Sequence, residues 1–283
     1  ADAPSLFYRK DLLEKYGFSG PPKTWDELVE MSEAIALGER KDGNFGFWGY
    51  LWQGINDEAL TCNAFEWQQS NGGGSFLDNE GNPHLASAES IDAFTKAASW
   101  VGSISPEQVV EFGEEDSRLM WQRGDAAFLR NWSYVFALAE QNRFMRERMG
   151  VAPLPAGPTG RSATLGGWEL MVSKFSGYPR EAAALVRFMT SEAEQKIRAV
   201  EGSYNPTIRS LYQDAGVLRA VPFFEGFEET YKSLVVRPST QLGARYAEAS
   251  SIYSGAVHDI LKGADAETRL TQAEEEMAAV LHP

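Results

Sequence analysis

Carboxylates are the most plentiful reactive groups in this chain, with 40 Asp and Glu against 26 Lys and Arg. Two carboxylates facing each other across a sugar are enough for glycoside hydrolysis. Spacing does not show which ones face. Asp2 and Glu169 are candidates because each adjoins a predicted ligand-facing loop, whereas a run such as Glu274-Glu-Glu276 reads as a solvated helix face. The 3 histidines, His84, His258 and His282, lie far apart without His-Glu-x-x-His spacing, which argues against a zinc hydrolase and leaves them as surface residues. Cys62, the single cysteine, has no evident basic neighbour in its predicted helix and reads as a packed thiol. No Gly-x-Ser-x-Gly elbow, phosphate-cradling loop or Gly-x-Gly-x-x-Gly turn occurs, so nucleophile, nucleotide and dinucleotide chemistry lose support. No metal or cofactor is called for. Asn131-Trp-Ser133 is formally a glycosylation sequon, a weak signal when alone.

The aromatic residues carry more information. A pyranose has apolar C–H faces and an equator of hydroxyls, so a sugar site combines flat aromatic platforms with planar polar groups. Trp132 with Tyr134, and Trp168 after Gly166-Gly167, follow small or polar residues instead of sitting inside apolar runs. Either pair alone could equally be core or rim aromatics.

These residues need elements to hold them. An apolar strand from about Asp2 runs into a charged helix, and the capping box Thr24-Trp-Asp-Glu27 opens a helix with Leu28, Met31 and Ile35 on one face, ending at Gly38. A strand and loop over 44–52 precede a helix over about 57–70. Ser87 caps another, with Ile91, Phe94, Ala98 and Val101 on its face. A strand over 124–130 delivers Asn131-Trp-Ser-Tyr134 at its C-terminal end, where α/β sheets bind ligands, with a helix running on to Gly150. Segments 150–155 and 167–173 read as extended and flank a Pro/Gly-rich stretch suited to an interdomain crossing. Pro179 and Ser191-x-x-Glu194 open two more helices, and Leu270, Ala273, Met277 and Val280 recur at helical spacing in the last. Helices alternating with short strands predict an α/β fold.

At 283 residues, 43% of them hydrophobic and 23% charged, the chain can bury a real core. Its net charge of −14 repels phosphate backbones and anionic lipid surfaces, so no nucleic acid and no membrane headgroup is expected as partner. No apolar run approaches the roughly 18 residues that span a bilayer. The start lacks a signal peptide's basic and apolar regions, and falls mid-element, while the carboxyl end reads as complete.

Taken together, these stretches resemble the family 1 extracellular solute-binding proteins of ABC sugar importers, which include maltose- and trehalose-binding proteins. Leu6-Phe-Tyr-Arg-Lys-Asp-Leu-Leu-Glu-Lys-Tyr-Gly17 followed by Pro21-Pro-Lys-Thr-Trp-Asp-Glu-Leu28 is the most recognisable run. Trp52-Gln-Gly54, Asn71-Gly-Gly73, Gly124-Asp-Ala-Ala127, Asn131-Trp-Ser-Tyr134, Leu165-Gly-Gly-Trp168, Arg237-Pro238 and Ile260-Leu-Lys-Gly263 follow in the family's order. The stretch from Phe47 to Gly74 is most similar to the trehalose/maltose and α-glucoside branch, which implies an α-linked glucose disaccharide.

The resemblance implies a periplasmic-binding-protein-like, type II architecture of two α/β lobes, with sugar bound between them and a hinge motion read by the membrane permease. It implies Trp132, Tyr134 and Trp168 as platforms, close approach of the Gly166-Gly167 backbone to the ligand, and hydroxyl binding by Arg237 and Asp2. Tyr246 is a further aromatic candidate. Family chains carry roughly a further third ahead of the segment where this one begins. The N-terminal lobe is therefore expected to be incomplete. Residues 1–150 would form the first part of the C-terminal lobe, 151–202 a remnant of the N-terminal lobe, and 203–283 the helical completion of the C-terminal lobe. The remnant, with open strand edges and bare apolar faces, is expected to be poorly stable on its own.

The expected partners are an oligosaccharide and the transmembrane subunits of an ABC permease. The protein is expected to be a monomer, periplasmic or lipid-anchored at the outer face of the cell membrane. Two other readings stand beside this one: a glycoside hydrolase or lyase working through a carboxylate pair, and an interaction module completed by another chain.

Overall fold

Alternation along Pro4–Arg9 sends Leu6 to one side of a strand and Phe7 to the other, and both are fully buried. Apolar layers must therefore cover both faces. In the computed structural model, which describes residues 1–282, this strand, β1 (Pro4–Arg9), is joined by β2 (Trp48–Leu51), β3 (Ala126–Trp132) and β4 (Met149–Ala152). The sheet order is β2-β3-β1-β4, with β1 antiparallel to both neighbours and β2 parallel to β3. Pro4 lies opposite Trp132. The start of β1 thus sits beside the end of β3, which brings Asp2 to Trp132.

Three packed clusters surround this frame. The largest takes Leu6, Tyr50 and Phe128 from one sheet face and packs them against α1 (Lys10–Lys15), α2 (Trp25–Lys41), α3 (Glu58–Asn71), α4 (Ala88–Trp100), and two late helices over 246–261 and 266–281. On the other face, Phe7, Leu51 and Leu129 meet Trp121 of α5 (Glu114–Gln122) and Val135 of α6 (Tyr134–Glu140). A third cluster holds Ala3, Ala199, Val217, Val221, Phe224 and Phe227. Short strands over 163–164 and 234–235 pair in parallel, with Leu234 against this cluster and Ala163 in the largest one.

Local chemistry departs from the sequence expectations in identifiable ways. Thr24 Oγ1 accepts from the Glu27 amide at 3.2 Å, but the Glu27 carboxylate accepts from the Lys23 amide at 2.6 Å, so the capping box is only half formed. Helix α2 continues through Gly38 to Lys41, because Gly38 is a contact residue and not a stop: a Cβ there would lie 2.1 Å from the Tyr16 ring. The buried stripe of α4 is Ala93, Phe94, Ala97 and Trp100, rotated from the expected one. The helix expected to reach Gly150 breaks at Asn142, whose side chain accepts from the Phe144 amide at 2.9 Å and starts a separate turn, after which β4 pairs with β1. Segment 167–173 forms no strand; among the described residues nothing pairs with it, and all of it is exposed. His258 is not a surface residue. It is buried, with Nδ1 3.0 Å from the Gly54 carbonyl, so Nδ1 carries the proton.

The helix over 179–189 buries none of its residues, and Leu185 and Phe188 are 57% and 59% exposed. A helix held by so little packing opens readily. Amides over 179–189 should therefore exchange much faster than those of α3, as hydrogen-exchange mass spectrometry would show; equal protection would contradict this.

Candidate functional site

A cleft of about 550 Å³ opens where the strand ends converge, within the range of small-ligand sites. Strand β3 ends at Trp132 and hands the chain to α6, whose first residue is Tyr134. The parallel strands over 163–164 and 234–235 release Gly166–Trp168 and Arg237 side by side. The turn after residues 192–202 contributes Tyr204. Of the residues singled out from the sequence, Asp2, Trp132, Tyr134, Gly166, Gly167, Trp168 and Arg237 all line this one cleft. Tyr246 stands one layer behind, donating its hydroxyl to Glu58.

Trp132 is held on several sides. Its Nε1 donates to Glu114 Oε1 at 3.3 Å, and the Arg130 guanidinium covers the ring at 4.3 Å from its centroid. Gly166 closes another side: a Cβ there would lie 2.9 Å and 3.0 Å from the Trp132 six-membered ring. The backbone at Gly166 therefore approaches the platform, and it is fixed by paired bonds with Asp2, 3.0 Å from the Asp2 amide to the Gly166 carbonyl and 2.9 Å in return. Gly166→Ala should displace the indole and shift tryptophan emission while leaving far-UV circular dichroism unchanged. An unshifted spectrum would contradict that contact. Trp168 is 93% exposed, an aromatic face that nothing among the described residues covers.

Polar groups surround these rings. Arg237 donates to Glu58 and, at 3.1 Å, to the Leu165 carbonyl, so two of its five N–H groups are occupied. Glu58 also accepts from Ser250 at 2.5 Å. Tyr134 donates to Glu115 at 2.6 Å, and burial together with that carboxylate pushes its phenol up, so it stays neutral. Asp2 accepts from the Ala3 amide at 3.0 Å and from Ser133 at 3.3 Å, yet desolvation pushes its carboxyl up to about 6. Cys62 lines the cleft as a buried thiol pushed up to about 12 by desolvation, which makes it a packed group and not a nucleophile. Asn131 is fully buried and donates to the Glu114 carbonyl at 3.0 Å, so its sequon is closed to modification.

Sequence reasoning missed Glu58, Glu114 and Tyr204 as cleft residues. A signal existed for Glu58. It opens a helix directly after the aromatic loop that follows β2, the same strand-to-helix arrangement that delivers Trp132. Tyr204 lies in Ser203-Tyr-Asn-Pro206, an irregular segment where Ser203 adopts φ 50°.

Two other aromatic pairs are stacked on each other. Tyr212 and Phe227 border a second cavity of about 550 Å³ but stack on each other at 5.8 Å and 11°. Trp25 and Trp100 stack in the core at 5.7 Å. No group of three His, Cys, Asp or Glu side chains able to hold a metal occurs among the described residues.

Comparison with known proteins places the family and the fold. A "probable ABC transporter-binding protein" of Deinococcus radiodurans is 47% identical over 262 residues, covering 92% of this chain and 62% of its own length. A maltotriose-binding protein of Pyrococcus abyssi is 25% identical over 287 residues, covering 98% of this chain and 58% of its own. The chain thus spans less than two thirds of these relatives. The solved structure of maltose-bound T. maritima MalE3 superimposes with a TM-score of 0.91 at 37% identity, covering 99% of this chain and 71% of that one, which establishes the α/β binding-protein fold. The family described as bacterial extracellular solute-binding protein matches residues 1–196, and the chain belongs to that family.

Proposed function

We propose that this chain captures a neutral oligosaccharide in the cleft between Trp132 and Trp168 and hands it, chemically unchanged, to the transmembrane subunits of an ABC permease. The observation that carries this reading is the convergence of two tryptophans, one held from several sides and one bare, with Asp2, Glu58, Arg237 and Tyr204 in a single cleft. Aromatic faces match sugar C–H faces, and carboxylates and a guanidinium match pairs of hydroxyls. The relatives' names support a glucose-based ligand, since one is described as maltotriose-binding and the MalE3 structure as maltose-bound. The ligand favoured here is an α-linked glucose disaccharide such as maltose or trehalose.

The same reading takes the protein to be a monomer working by hinge closure, periplasmic or tethered by lipid at the outer face of the cell membrane. Its lobes are assigned as above, with Val217, Val221, Phe224 and Phe227 packing on Ala199 in the third cluster and Leu234 and Val235 touching the largest one. Titration of tryptophan emission with maltose, trehalose, sucrose and glucose, followed by recovery of the sugar, tests the reading. Consumed sugar would favour a hydrolase instead.

Asp2 adds a pH dependence. Its carboxyl is pushed up to about 6, so the folded state keeps a proton that an ordinary Asp releases near 4. This stabilises the fold at low pH, and the contribution is lost as pH rises from about 4 to 6. Asp2→Asn should remove that fall. Stability at pH 7 relative to pH 4, read from denaturant midpoints, should be higher in the variant than in the wild type; an identical difference would contradict the assignment.

A further inference from the structure

Arg130 lies two residues before Trp132 on β3, so both side chains leave the same side of the strand. It is fully buried and every guanidinium nitrogen is placed. Nε donates to Glu66 Oε2 at 2.9 Å, one Nη to the other Glu66 oxygen, and the second Nη to Gln53 Oε1 at 3.0 Å. Gln53 is locked in turn. Its amide nitrogen donates to the Arg130 carbonyl at 2.9 Å and to Ser117 at 2.8 Å, while Asn63 donates to its oxygen at 3.1 Å. Desolvation opposes the Arg130 charge, but Glu66 more than reverses it and the guanidinium pKa is raised.

Glu66 reaches a second wall of the cleft. Its Oε1 accepts from the Thr164 backbone amide at 3.3 Å, two residues before the Gly166 that abuts the Trp132 ring. One buried carboxylate therefore fixes the indole, through Arg130, and the Gly166-Gly167 turn, through Thr164. A buried pair of this kind is about as stable as an apolar replacement, so stability alone does not explain its presence.

We propose that Glu66 and Arg130 are positioning residues that hold the Trp132 platform and the Gly166 turn in register, and thereby set sugar affinity without touching the sugar. The proposal deepens the sugar-binding reading and rests on it for its affinity arm, while its structural arm stands alone.

The test uses the double variant Arg130→Met/Glu66→Leu, which removes both charges together, in the wild-type and Trp132→Ala backgrounds. Acrylamide quenching, differenced against Trp132→Phe, isolates the Trp132 signal. Maltose titration at up to millimolar concentration gives affinity. The expected result is retained far-UV circular dichroism, Trp132 about twofold more quenchable, and affinity about tenfold weaker, with less than about twofold further loss when Trp132 is already Ala. Unchanged Trp132 quenching, or losses that multiply in the Trp132→Ala background, would overturn the proposal. Arg130→Lys, which keeps a cation beside Glu66 but removes the guanidinium plane from the Trp132 ring, gives the same readings if the double variant does not fold. If the wild type binds none of maltose, trehalose, sucrose and glucose, the sugar reading falls, and the quenching comparison still decides the positioning role.

Discussion

Trp132→Ala should weaken binding of an α-linked glucose disaccharide by about thirtyfold, equivalent to roughly 2 kcal/mol of apolar and aromatic contact with one sugar face. The indole is braced by the Arg130 guanidinium, Glu114 and the Gly166 backbone, so the free protein already holds it in place and little ordering is needed on binding. Trp132→Phe should recover part of the loss, because a flat ring remains. Calorimetric titration of the three proteins measures this. Equal affinity in wild type and Trp132→Ala would mean that the ligand sits elsewhere.

The largest effect on stability should come from Arg130→Met, which strands the Glu66 carboxylate in a fully buried site. Burial pushes the Glu66 carboxyl up, and Arg130, with the Thr164 amide, counters only part of that push. Removing one partner of such a pair costs about 3–5 kcal/mol, whereas replacing both by apolar groups is close to neutral. Urea unfolding should show the single variant strongly destabilised and Arg130→Met/Glu66→Leu restored most of the way. A single variant within 1 kcal/mol of wild type would imply that water or another cation reaches Glu66.

The aromatic part of the site was legible because Asn131-Trp-Ser-Tyr134 ends a strand pattern and Trp168 follows Gly166-Gly167, whereas Arg237, Tyr246 and the close approach of the Gly166-Gly167 backbone were implied only by the family resemblance. Glu58 and Glu114 were hidden because acidic residues in the first turn of a helix are ordinary on dipole grounds, and nothing local tells a solvated one from one facing a cleft. Glu66 and Arg130 were hidden for a different reason. They are 64 positions apart and meet only because α3 packs beside β3, a tertiary fact with no local signature. The expected strand over 167–173 failed because strands need partners, and alternating apolar residues alone do not supply one.

The most direct test of the account is fluorescence titration of the 283-residue chain with maltose, compared with Trp132→Phe and followed by chromatography of the recovered sugar. The account predicts a saturable change in emission that is strongly reduced in the variant, with the sugar recovered intact. Emission unmoved by maltose, trehalose, sucrose and glucose alike, or maltose returned as glucose, would contradict it.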